Sequence, residues 1–178
     1  MILDALLQFD NAVSLAIAAG TQASTNVIDL GITSGIPSSA SGGGARDIGI
    51  GDDPAMKLLV QVATTFASGG AATLAVALQG AIDNGAGAPA AFSTWWASPA
   101  YALATLVAGA RLYDMDMPRP PDGIAIPRFL RLLYTVGAAT VTAGAVSSYI
   151  VLDRDDRPYS GTDNSVQGGY PAGINVAN

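Results

Sequence analysis

Acid–base or metal chemistry in this chain would have to be done with aspartate. All 14 acidic residues are Asp, seven of the eight basic residues are Arg, and Glu, His and Cys are absent. That leaves no imidazole base, no thiolate nucleophile and no ordinary zinc ligand set, so the reactive vocabulary is Asp, Ser, Thr, Tyr and the single Lys57. Asp47, Asp52 and Asp53 crowd the Gly-rich stretch from Arg46 to Pro54 and would offer oxygens to Ca²⁺ or Mg²⁺, but the spacing lacks the alternation and terminal Glu of a calcium loop. Gly49 and Gly51 do not complete a dinucleotide fingerprint. A strand entry whose aspartates cap turns and pair with Arg46 accounts for the same residues. Asp153, Asp155 and Asp156, with Arg154 and Arg157, would be a paired-carboxylate hydrolase site only if a second cleft wall faced them; alternating signs on a short segment read instead as a solvated or interface surface. Phe92, Trp95, Trp96 and Tyr101 form the densest aromatic group, and core packing is a simpler reading for them than sugar stacking or an interface hot spot. No catalytic residue, metal or cofactor is expected, and the composition leans toward a structural or binding role.

The elements that must position these residues read as strands. From Met56 the run Met56, Leu58, Val60, Val62, Thr64, Phe66 alternates with Lys57, Leu59, Gln61, Ala63, Thr65. After Ser68-Gly69-Gly70, the residues Ala72, Leu74, Val76, Leu78 alternate with Thr73, Ala75, Ala77, Gln79, and the pair predicts a β-hairpin. A second hairpin is predicted from Arg128 through Val136, the turn Gly137-Ala138-Ala139 and the β-branched run to Leu152. Large apolar residues on both faces of its first strand fit a sheet packed on another sheet or on a partner chain. The uncharged stretches Leu58 to Ile82 and Leu132 to Leu152 are long enough to cross a bilayer as helices, and the mean hydropathy is positive. Their Thr, Ser and Gly content and their period of two argue instead for an all-β domain, with no membrane partner.

A length of 178 residues suits one domain with a sizeable core. A net charge of −6 with scattered basic residues argues against direct nucleic-acid binding. No basic region precedes an apolar stretch at Met1-Ile-Leu-Asp4, so no secretory leader is expected. The chain divides into an N-terminal segment over 1–45 with a Gly/Ser-rich loop at Ser34 to Gly44, a β-sandwich core over 46–153 and a C-terminal arm over 154–178. Within the first segment, Ala12 to Ala19 is readable as a short helix capped by Asp10 or Asn11, or as an extended segment. Met115 to Gly123, with Pro118, Pro120 and Pro121, is expected to be an exposed loop. The tail from Asp153 is either disordered or an arm that orders on a neighbour, with Tyr159, Val166, Tyr170, Ile174 and Val176 as apolar anchors.

Three segments carry a resemblance. Ser24-Thr-Asn-Val-Ile-Asp-Leu-Gly31, Arg46-Asp-Ile-Gly-Ile-Gly-Asp-Asp-Pro54 and Arg128-Phe-Leu-Arg-Leu-Leu-Tyr134, in this order and after the start Met-Ile-Leu-Asp-Ala-Leu-Leu, resemble the capsid cement (decoration) proteins of tailed double-stranded DNA bacteriophages over residues 1 to 153. That resemblance implies a jelly-roll-like β-sandwich with an extended N-terminal segment and a C-terminal arm. It implies a non-enzymatic homo-oligomer, a dimer rather than a trimer, made in the bacterial host cytoplasm and bound to the outer surface of the major capsid protein shell. Asp153, Arg154, Asp155, Asp156, Arg157, Tyr159, Tyr170 and Ile174 are the candidate capsid or subunit interface. The alternatives are a carbohydrate-binding β-sandwich virion protein working through Trp95 and Trp96, and a small holin-like membrane protein built on the two long apolar stretches.

Overall fold

The computed structural model describes residues 5–31, 56–118, 123 and 127–151. These form ten strands and two short 3-10 turns: β1 (Gln8–Ser14), β2 (Gly20–Ala23), β3 (Ile28–Asp29), β4 (Lys57–Ser68), β5 (Thr73–Ala81), β6 (Ser93–Ala97), β7 (Tyr101–Ala102), β8 (Arg111–Asp116), β9 (Phe129–Gly137) and β10 (Val141–Val151). Every pairing is antiparallel. One sheet has the order β1-β10-β4-β8. In the other, β2 and β3 share one side of β9, β5 follows, and β6 and β7 share its far side. Counting β2/β3 and β6/β7 as one broken strand each, the eight positions run first-eighth-third-sixth and second-seventh-fourth-fifth, which is the two-sheet jelly roll.

Neither predicted hairpin forms. β4 lies between β10 and β8, while β5 lies between β9 and β6, so the chain changes sheet at Gly69 to Ala72. It changes sheet again between β9 and β10, at Ala138 to Thr140. A period of two reports which residues face a core but not which strand lies alongside, and a strand that arches over the core keeps the same alternation as one that folds back beside itself. Both corners are tight: Ala72 N–H donates to Gly70 C=O, Ala139 N–H donates to Gly137 C=O, and Ala138 takes φ +65°. The corners also touch, since a Cβ on Gly70 would stand 3.0 Å from that of Ala139.

The residues assigned by sequence to a segment outside the core contribute three strands to it. β1 pairs with β10, and β2 and β3 pair with β9, so the sandwich begins well before residue 46. The helix alternative over Ala12 to Ala19 is not formed; β1 runs through Ala12, which takes φ +52° within an irregular register, and Asp10 points inward instead of capping. Met115 and Asp116, placed by sequence in the proline-rich loop, close β8, and Met117 after them is buried.

The core is filled from both sheets, by Phe9, Leu58, Val60, Val62, Val146 and Ile150 on one side and Leu74, Val76, Leu78, Leu130, Leu132 and Val136 on the other. Gly144, at φ +149°, leaves room for the Phe66 ring against the backbone of β10, where any Cβ would collide with it. One seam between the sheets is closed by Trp96 of β6 and Tyr113 of β8, whose ring centres are 4.1 Å apart, and by the Tyr101 hydroxyl donating to Leu112 C=O. The other is closed where the β2–β3 connection crosses to β1: Asn26 N–H donates to Phe9 C=O, and Thr25 N–H donates to Asp10 Oδ1 at 2.7 Å.

Asp10 is fully buried, as are Tyr134 and Ser148. The Tyr134 hydroxyl crosses from β9 to donate to Asp10 Oδ2 at 2.6 Å, and Ser148 Oγ lies 3.2 Å from the same oxygen and 2.9 Å from the phenol. A carboxylate with three donors around it is tolerable inside a sandwich; one missing a donor is not. Burial, then the Asp10 charge and hydrogen bond, push the Tyr134 phenol well above its ordinary value. A raised value means that the protonated phenol is the form the fold favours. Its contribution is complete below the unfolded value near pH 10 and is lost as pH climbs through the higher folded value. Tyr134→Phe is expected to cost about 1–3 kcal/mol in denaturant titrations at neutral pH, and to flatten the alkaline arm of the stability–pH curve; equal stability of variant and parent would remove the cross-core bond from the account.

Candidate interaction surface

The two ends of the sandwich differ. At one end lie the two tight corners and the short β1–β2 link, joined by the connection from β6 through β7 to β8. At the other end β1 begins, β10 ends, β3 leads toward β4, β5 leads to β6 and β8 leads to β9. The start of β1 and the end of β10 therefore lie on one side of the molecule, with the β5–β6 loop. Among the described residues, the exposed large apolar side chains Leu6 at 60%, Ile82 at 48% and Val27 at 43% are also there, while Val107 lies toward the other end. Leu6 and Val27 border a depression with Gln8, Thr25 and Asp29, and Ile82 borders a second with Trp95, Ala91 and Pro127.

Arg128, just ahead of β9, organises this end. Its Nε and Nη2 donate to the two oxygens of Asp29, each at 2.9 Å, and its Nη1 pairs with Asp83. The planar fork suits two-point binding of a carboxylate, and here it ties β3 to the β5–β6 loop. The loop is also folded by its own side chains. Asp83 Oδ1 accepts from Gly85 and Gly87 N–H, and Asn84 Oδ1 accepts from Ala86 and Ala88 N–H, with Gly85 and Gly87 at positive φ. Partial desolvation raises the Asp83 carboxyl, but the Gly85 and Gly87 amides and Arg128 outweigh it, so the net shift is downward. Hydrogen bonding to Asp29 leads the causes that raise Arg128 above its ordinary value.

The aromatic group packs inward. Trp95 and Trp96 are partly buried against the core, Trp96 on Tyr113 and Trp95 over Gly80, where no side chain would fit beneath the indole. Phe92 lies under a second arginine, with the Arg131 guanidinium carbon 3.9 Å from its ring centre. Among the described residues no group of three or more Asp could hold a metal ion, and no helix is long and apolar enough to cross a membrane. The stretches 58–82 and 132–151 are strands and corners of the sandwich.

Asp47, Asp52, Asp53 and all the candidate interface residues, Asp153, Arg154, Asp155, Asp156, Arg157, Tyr159, Tyr170 and Ile174, lie outside the described residues. The structure does show where that tail departs: β10 ends at Val151, beside Lys57 of β4, at the end organised by Arg128. From the sequence, Arg128 and Arg131 were placed only on the first strand of the second predicted hairpin. Asp29 and Asp83 were missed as partners of Arg128, because each is an isolated acid far away along the chain.

A family model described as Bbp16 matches residues 12–150, well over half of the chain and nearly the whole described sandwich. No curated protein matches it. Arg128→Ala is expected to raise amide hydrogen exchange across residues 82–92 while leaving β4 and β10 protected; unchanged exchange in that loop would show that its own Asx turns suffice.

Proposed function

The chain belongs to the Bbp16 family, and on that premise we propose that it is a non-enzymatic virion structural protein that binds the outer surface of a major capsid protein shell and cements neighbouring capsomers. The observation that supports this reading is the grouping of exposed Leu6, Val27 and Ile82 at the end of the jelly roll where β1 begins and β10 ends. Such a body holds its shape under load while one end offers contact area. Many weak copies bound on a symmetric shell add up to a strong attachment. In this reading the protein assembles as a dimer, and Asp153 to Arg157, Tyr159, Tyr170 and Ile174 belong to the arm that reaches a neighbour. The inward packing of Trp95 and Trp96 favours the shell reading over a glycan platform.

The test is truncation at the arm. Removing residues 154–178 leaves every described strand in place. It is expected to leave the melting temperature within a few degrees of the parent while abolishing or strongly reducing cosedimentation with shells. Removing residues 1–22 would not serve, because it deletes β1 and, with it, Asp10 from the core. Normal shell binding by the 154–178 truncation would place attachment elsewhere on the sandwich.

A further inference from the structure

On the outward face of the sheet containing β9, the alternate residues of neighbouring strands form rows. Thr21, Thr135 and Ala75 make one; Ala23, Leu133, Ala77 and Ala97 make the next; Arg131, Gln79 and Thr94 follow. The strands of this sheet carry one cation, Arg131, and one anion, Asp29, both of whose oxygens already accept from Arg128. Arg131 is held by two neighbours. Its Nε donates to Gln79 Oε1 at 2.8 Å, Gln79 Nε2 donates in turn to Thr94 Oγ1 at 3.0 Å, and its guanidinium carbon sits over Phe92, 3.9 Å from the ring centre. It has no ion pair among the described residues.

We propose that this face is a docking surface on which a carboxylate of the partner protein seats across Nη1 and Nη2 of Arg131, with the Ala/Thr rows lying flat against the partner beside it. The approach is dictated by the donors that remain. The Nε edge is taken by Gln79, so the two Nη groups form the remaining fork, and that fork matches a carboxylate in two-point geometry. An arginine already immobilised by a stacking ring and a hydrogen bond loses little further freedom on binding, which is the property of an interface hot spot. A polyanion is disfavoured as occupant, because the chain carries a net charge of −6. A second copy using the same face is disfavoured too, since the only acid in its strands is Asp29, already engaged. The partner is therefore a different protein presenting an isolated acid on a flat surface. The identification of that protein as the capsid shell rests on the functional reading above.

The experiment is cosedimentation of the full-length chain with shells of its cognate major capsid protein that lack it, using Arg131→Ala, Arg131→Lys, Thr135→Arg and, on the opposite sheet, Lys57→Ala. Arg131→Ala is expected to weaken binding about tenfold or more. Arg131→Lys should recover only part of that, since an ammonium keeps the charge without the fork. Thr135→Arg, a change at an exposed position that leaves Arg131 intact, should also weaken binding by crowding the flat rows, whereas Lys57→Ala should bind as the parent does. Parent binding with no loss in the Arg131 and Thr135 variants would overturn this docking face and leave the shell reading standing. Failure of the parent itself to bind would overturn the shell reading and this inference together.

Discussion

The Tyr134–Asp10 hydrogen bond is the constraint around which the sandwich is arranged. It joins the two sheets through the middle of the core, at a place where an ionised carboxylate would otherwise be intolerable. Asp10 takes donors from β9, from the β2–β3 connection and from the neighbourhood of β10, so one side chain fixes the relative placement of four elements. Apolar packing alone would allow β1 to slide along β10, whose shared register is already irregular. A single correct position for the carboxylate removes that freedom. The same requirement explains why the first strand belongs inside the sandwich although nothing in its length or hydrophobicity is remarkable beside β4 or β10.

The outer faces follow from this inner one. With Leu74, Val76 and Leu78 of β5 and Leu130, Leu132, Tyr134 and Val136 of β9 committed to the core, Ala75, Ala77, Leu133 and Thr135 form an outward surface interrupted by Arg131. At the end of the sandwich Arg128 holds Asp29 and Asp83. The chain thus separates two uses of arginine. Arg128 is saturated by carboxylates of its own chain, and Arg131, three residues on, is oriented by neutral neighbours.

The strands β4, β5 and β9 were legible because apolar residues recur at alternate positions, and β10 because of its β-branched run. Their partners were not, since Ser68-Gly69-Gly70 and Gly137-Ala138-Ala139 have the composition of hairpin turns yet serve as corners between sheets. The jelly-roll order came from the family resemblance, and the strand pairing bears it out. β1 to β3 were illegible for a different reason: they are short, their polar content is high, and Asp10 looks like a helix cap or a solvated acid until Tyr134 and Ser148, more than 120 residues away, are placed beside it. At the candidate surface, Trp96 was readable as a packing residue from its aromatic neighbourhood. Gln79 and Phe92 had no local feature to mark them as supports of Arg131. Pairing across strands from separate parts of the chain is what creates that arrangement.

The position of β9 and β10 in the chain also sets the order of events during synthesis. They are the last described strands to leave the ribosome, yet β10 lies inside one sheet and β9 inside the other, and both residues that receive Asp10 belong to them. Until they emerge, β1, β4 and β5 have no inner neighbours, and the Asp10 carboxylate must remain in water. The nascent chain therefore waits in an open state for most of its translation and closes late, through contacts spanning 124 and 138 residues of sequence. A topology so dominated by distant pairings folds slowly for its size, and it gives a stalled or shortened chain no partial sandwich in which to rest.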